Sequence, residues 1–167
     1  MQALGLPLNE ETDSTPYRVA RMFSNEFCSH NGSPPDVALF KRKNYDQYIV
    51  VKDIEFVSLC EHHHMVFEGV VHVGYHPKEW LAGLSKIARV VKYFSGRPQL
   101  QEHLVVQIAE YLFKMLTPHG VMVVAEARHS CMSCRGIRSA RAQTVTSKLI
   151  EAAEGIDKSE MMRLMGL

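Results

Sequence analysis

Apolar and polar positions recur with different periods along this chain, and each change of period marks an element. Ser14-Thr15-Pro16 precedes Tyr17-Arg18-Val19-Ala20-Arg21-Met22-Phe23, which reads as an N-cap, a first-turn proline and an amphipathic helix running to about Phe27. Asn31-Gly32-Ser33-Pro34-Pro35 breaks that helix with a loop. Tyr48 to Val57 is β-branched and aromatic with partial alternation, and predicts a strand reaching Cys60. Val66 to Tyr75 predicts a second strand, with a bend or bulge at Glu68-Gly69. The short connection makes the two antiparallel neighbours. Leu84, Ile87, Val91 and Phe94 then recur at helical spacing, giving a helix from about Gly83 to Phe94 that ends at Ser95-Gly96-Arg97-Pro98. Leu100, Leu104, Ile108, Leu112 and Leu116 form a four-residue ladder closed by Pro118-His119-Gly120. Val121 to Ala127 predicts a third strand and Gly136 to Thr146 a fourth, with His129–Arg135 connecting them. A helical tail from Lys148 to Leu164 finishes the chain.

Strand pairs flanking a helix pair imply an α+β layer structure on an antiparallel sheet, not a doubly wound parallel one. With 167 residues, 46% of them apolar, the chain is long enough for one domain, 1–167, with its own core. Its parts are an N-terminal helical segment 1–30, a core 46–147 and a helical tail 148–167. Nineteen Lys+Arg against eighteen Asp+Glu leave a net charge of +1, so global charge gives no argument for nucleic acid or an acidic membrane surface. No apolar run approaches the roughly 20 residues that a spanning helix needs, and the N-terminus does not read as a signal peptide. The expectation is a cytoplasmic protein whose cysteines (Cys28, Cys60, Cys131, Cys134) are thiols or metal ligands.

Chemistry concentrates at Cys60-Glu61-His62-His63-His64, between the first two strands, with an echo at His129-Ser130-Cys131-Met132-Ser133-Cys134-Arg135. Cys60-x-x-His63 has the spacing at which one turn holds a zinc ion. Joined with Cys131-x-x-Cys134 it reads as a closed structural Cys3His site. Three ligands and an open position would instead activate water, with His62 and His129 beside it to carry protons. Glu61, His62, His129 and Arg135 crowd the cluster more than a structural site requires. His30, His72, His76, His103 and His119 are scattered, and read as surface or hydrogen-bonded residues. Gly83-Leu-Ser-Lys-Ile-Ala-Arg89 places a hydroxyl and two cations at a helix start, an anion site or an ordinary solvated face. Arg18 and Arg21 have the same two readings. Gln101-Glu102 reads as helix-start electrostatics or as a pair suited to a guanine edge.

These residues also carry a resemblance. The chain resembles GTP cyclohydrolase I across nearly its whole length, through Thr15–Met22, Ser58-Leu-Cys-Glu-His-His63, Gly83–Arg89, Arg97-Pro-Gln-Leu-Gln-Glu102, His129-Ser-Cys131, Arg135-Gly136 and Thr144–Ser147. The resemblance implies the tunnelling fold (T-fold), in which a pair of helices packs on one face of an antiparallel sheet and sheets from several subunits join into a barrel. It implies a homodecamer with active sites at subunit interfaces. It implies zinc on Cys60, His63 and Cys131, and His62 and His129 as catalytic histidines. Gln101 and Glu102 would anchor guanine; Ser85, Lys86, Arg89 and Arg135 would hold the triphosphate, with Arg18 and Arg21 from another subunit. The implied reaction turns GTP and water into 7,8-dihydroneopterin triphosphate and formate, the first step towards folate, another pterin or a deazaguanine.

His64, where the family has an apolar residue, and the fourth thiol, Cys134, depart from the pattern. Two rivals compete: a related enzyme such as a 7-cyano-7-deazaguanine reductase, which uses a cysteine nucleophile and NADPH, and a non-enzymatic module stapled by zinc on all four ligands.

Overall fold

The structure is a computed structural model that describes residues 5–7, 9–28, 32–152 and 156–167. His30 and Asn31, with residues 153–155 of the predicted tail, lie outside the described residues. Helix α1, Thr15–Met22, has the predicted proline in its first turn and passes into a π-helical turn, Phe23–Phe27. Strands β2 (Ile49–Cys60) and β3 (Val66–His76) form the expected antiparallel hairpin, from Leu59↔Val66 down to Ile49↔Tyr75. Two short strands escaped the hydrophobic pattern: β1 (Leu39–Lys41) and β4 (Trp80–Ala82), which pair with each other. Helix α2 covers Leu84–Ser95 and helix α3 Gln101–Leu116, with a two-residue strand β5 (Pro98–Gln99) between them. Strand β6 is Gly120–His129.

The last third corrects the sequence reading. Of the predicted strand at Gly136–Thr146 only Thr144–Thr146 is strand: residues 130–143 are a connection that begins with the helical turn α4 (Ser130–Ser133), and strand β7 runs Thr144–Glu151. The tail helix, α5, is Lys158–Met165 and not Lys148–Leu164. Thr144–Glu151 has the β-branched alternation of a strand, but Lys148-Leu149-Ile150 next to a charged run also fits a helix. Pairing with β6 over Ala127↔Thr144 to Gly120↔Glu151 decides in favour of the strand. Asp157 caps α5 by accepting from the Glu160 backbone N–H, 3.0 Å.

The main sheet has the order β5-β2-β3-β6-β7, and all its long pairings are antiparallel. Residues of β3 and β6 that face the helices are fully buried, among them Phe67, Val71, Val73, Val121, Val123 and Ala125. They meet Ile87 and Val91 of α2 and Leu104, Ile108 and Leu112 of α3 in one core, so the helix pair lies on one face of an antiparallel sheet as expected. On the other face α5 covers only part of the sheet, through Met161 and Met165 packed against Met122 and Val124.

The expected bulge at Glu68-Gly69 lies elsewhere. Pairing runs unbroken through both residues, and the irregularity falls on β2 between Val51 and Ile54, where Asp53 takes a left-handed φ of 57°. Its backbone N–H donates to Nδ1 of buried His72, 3.2 Å, so that histidine is hydrogen-bonded core rather than site. Gly69 serves close approach instead: a Cβ there would stand 1.9 Å from the backbone oxygen of Glu126. Helix α3 ends at Leu116, two residues before Pro118, with Thr117 left-handed at φ 42°. Among the described residues no helix is long and apolar enough to cross a membrane.

Candidate active site

The turn Glu61-His62-His63 exists because the carbonyl of Cys60 collects two backbone donors, from His63 at 3.3 Å and His64 at 2.8 Å. Cys60 N–H donates in turn to the Met65 carbonyl, 2.8 Å, which locks the end of β2. His64 closes this turn at φ 49°, exposed and outside the donor cluster. The turn throws His63 back towards its own strand, where its Nδ1 comes to 3.9 Å from Cys60 Sγ. The opposite wall is the end of β6, where α4 begins immediately after His129 and presents Cys131 from its first turn. The chain thereby joins two segments about 70 residues apart in sequence, since β2 and β6 flank β3 at the same end of the sheet.

The donor atoms of Cys60, His63 and Cys131 all lie within 4.8 Å of one another. Cys134 is not in this group. It is exposed, and its Sγ donates to the carbonyl of Ser130 at 2.8 Å, the next turn of its own short helix. The closed four-ligand arrangement is therefore not what the fold builds. Burial first, and then the neighbouring Cys60 thiol, push the Cys131 thiol above its ordinary pKa. A divalent ion binds such thiols as thiolates and displaces their protons.

A cavity of about 200 Å3 opens over the three donors, lined also by His62, Gln101, Glu102 and His129. His62 is exposed on the turn, with its ring centroid 6.1 Å from that of His63. His129 is half-buried and held from two sides. Its ring stacks on Phe67 at 4.6 Å with an interplanar angle of 3°, and its Nε2 lies 2.8 Å from Gln101 Oε1. Burial lowers its pKa, and the Glu102 carboxylate opposes that by favouring the cation. Glu102 is exposed in the first turn of α3, whereas Gln101 beside it is buried.

One chain thus gathers seven of the predicted site residues: Cys60, His62, His63, Gln101, Glu102, His129 and Cys131. The cationic residues lie elsewhere. Ser85 and Arg89 are exposed and Lys86 half-buried on the first turns of α2, outside this cavity. Arg135 is exposed just past α4, near enough to Cys131 for its charge to favour the thiolate. Arg18 and Arg21 line a separate hollow of about 360 Å3 beside Tyr17 and Glu26. Another hollow, of about 420 Å3, adjoins it at Asn25 and Glu26, and among the described residues it holds no comparable donor group. Among the described residues, a cluster of three ligand atoms and two further histidines converges at the smaller cavity. Phe67 escaped the sequence reading altogether. It is an apolar residue in an apolar strand, and only the pairing Phe67↔His129 reveals it as the platform under the imidazole.

Comparison with known proteins agrees with the geometry. The family model described as GTP cyclohydrolase I matches residues 1–166. A GTP cyclohydrolase 1 of Sulfurihydrogenibium sp. is 51% identical over 86% of this chain and 75% of its own length. That of Desulforamulus reducens is 46% identical over 95% of this chain and 84% of its own length. That of Bacillus subtilis is 43% identical over 96% of this chain and 84% of its own. A match of that extent, on a chain whose folded cavity unites the two Cys/His segments, leaves one conclusion: the chain belongs to the GTP cyclohydrolase I family, enzymes named for their action on GTP.

Proposed function

We propose that the chain converts GTP and water into 7,8-dihydroneopterin triphosphate and formate, with one zinc ion on Cys60, His63 and Cys131. The observation that carries this reading is the convergence of those three donors with two histidines and a carboxylate on one cavity. Two thiols and an imidazole are the soft N/S donors that suit zinc, and three protein ligands leave a position open. A bound zinc ion supplies Lewis-acid activation of water.

The protein side chains supply orientation and protons. Glu102, with Gln101 beside it, forms the guanine end, its carboxylate accepting from the base's neighbouring N–H groups. His129 gives a proton to the ring nitrogen next to carbon 8 as water adds there, and the imidazole ring opens to a formamide. A second water releases formate, and His62 serves as a further acid and base. The ribose opens, undergoes an Amadori rearrangement and recloses as the pterin ring with return of one water. Burial disfavours the charged form of His129 and so favours its giving the proton up, while Glu102 keeps the cation accessible. The product opens a route to folate, another pterin or a deazaguanine.

The triphosphate is held by Ser85, Lys86, Arg89 and Arg135, completed by Arg18 and Arg21 of another subunit in a homodecamer of tunnelling fold. Three features support assembly. Strand β7 is an open sheet edge, and β2 is open along all but its last two residues, which β5 covers. Helix α1 buries none of its own residues and leaves Tyr17, Val19 and Met22 exposed. The thiol ligands suit a reducing cytoplasm.

The reading is tested by incubating purified zinc-loaded protein with GTP. The expected result is one formate per GTP consumed and a fluorescent neopterin after oxidation. GTP left intact, or consumed with release of phosphate alone, overturns it.

A further inference from the structure

The hydrogen bonds around Gln101 assign a proton. Its side chain is 2% exposed and sits between two backbone carbonyls and the imidazole of His129. The amide Nε2 donates to the carbonyl of Ala125 at 2.9 Å and to that of Thr144 at 2.9 Å. Carbonyl oxygens only accept, so the nitrogen end of the amide belongs there. Turning the amide over would press its oxygen against both carbonyl oxygens, with no proton between them. The amide oxygen is thereby committed to His129 Nε2, 2.8 Å away, and an amide oxygen has no proton to offer. The donor must be the ring.

The ring cannot evade this requirement by rotation. Its plane lies flat on Phe67, and a half-turn within that plane's stack would set a carbon against Gln101 Oε1 in place of Nε2. Among the described residues no other hydrogen bond reaches the ring of His129, which leaves Nδ1 without a protein partner.

We propose that Gln101 is a positioning residue for His129. By accepting from Nε2–H it holds neutral His129 in one tautomer and leaves Nδ1 as the nitrogen that exchanges a proton with the substrate. This rests on the proposed role of His129 in proton transfer. It also divides the Gln101-Glu102 pair. Both amide hydrogens of Gln101 are spent on the backbone, so none remains for the guanine carbonyl, and Glu102 alone reads the edge of the base. Ala125 lies on β6 and Thr144 opens β7, so the same amide ties the start of α3 to both strands that flank the Cys131 connection.

The test is solid-state NMR of zinc-loaded protein carrying 15N-histidine, with His129→Asn as the difference spectrum that identifies the signals. The expected result is a protonated Nε2 and a bare Nδ1 at His129. In Gln101→Met, which has similar length and no acceptor, the Nδ1–H form appears beside it. The kcat for GTP then falls about 10–100-fold, as for loss of a partner that orients an active-site imidazole. KM stays within about threefold, because ground-state binding is untouched. A proton on Nδ1 in the unsubstituted protein overturns the proposal, and that spectrum needs no variant to fold. So does Gln101→Met with unchanged kcat and raised KM, the pattern of a direct base contact. The tautomer is read without substrate, so protein with the expected spectrum and no turnover of GTP refutes the proposed reaction separately.

Discussion

Cys131→Ser is expected to lose its zinc and with it all measurable conversion of GTP, while Cys134→Ser keeps both. The two cysteines are three residues apart on the same short turn, so composition and spacing do not separate them. Geometry does. The Cys131 sulfur stands within 4.8 Å of the donor atoms of Cys60 and His63, whereas the Cys134 sulfur is exposed and bonded to the Ser130 carbonyl. Serine in place of Cys134 retains a donor for that carbonyl, so the folding cost is about 1 kcal/mol or less. Serine in place of Cys131 exchanges a soft ligand for a poorly ionised hydroxyl. With the water-activating ion gone, turnover drops by about three orders of magnitude or more. Metal analysis and formate release on both variants read the difference. If Cys134→Ser loses zinc and unfolds, the site is a four-ligand structural staple and the proposed mechanism fails.

His62→Ala is expected to leave a folded, metal-loaded protein with turnover reduced about 10²–10⁴-fold, the range general acid–base catalysis covers. That corresponds to about 3–5 kcal/mol in the barrier. The variant is informative because His62 is exposed on the turn and makes no hydrogen bond among the described residues, so its removal costs the fold within about 0.5 kcal/mol. His129 is a poorer probe. Truncating it also removes the ring stacked on Phe67 and strands the buried oxygen of Gln101. The measurement is steady-state kinetics beside thermal unfolding and zinc content. Parent-like turnover removes His62 from proton transfer.

Where the hydrophobic period was pure, sequence and structure agree. The ladder from Leu104 to Leu116 is α3, and the β-branched run ending at Cys60 is β2. The ligand pair Cys60 and His63 was legible because its spacing is local to one turn. Spacing offered Cys131 only together with Cys134, the resemblance singled it out, and the structure supplies the reason it can join, a strand order that sets β2 and β6 on either side of β3. The errors lie where local and tertiary preferences compete. Gly136–Gln143 carries scattered apolar residues but no partner strand, whereas Thr144–Glu151 gains one in β6. Gly69 looked like a bend because isolated glycines in strands often are, yet here the absent side chain makes room for the Glu126 carbonyl. The Phe67 platform and the contact of Gln101 with His129 had no signature, since each depends on a residue 62 or 28 positions away.

The most direct measurement strips the protein of metal with a chelator, titrates zinc back and follows formate release from GTP at each addition. The expected course is no turnover in the stripped protein, with activity rising linearly and levelling at one zinc per chain. Loss of the Cys131 ligand should abolish the rise and loss of Cys134 should not change it. Full turnover by protein shown to hold no metal would contradict the assignment of Cys60, His63 and Cys131 as the ligands of a catalytic ion.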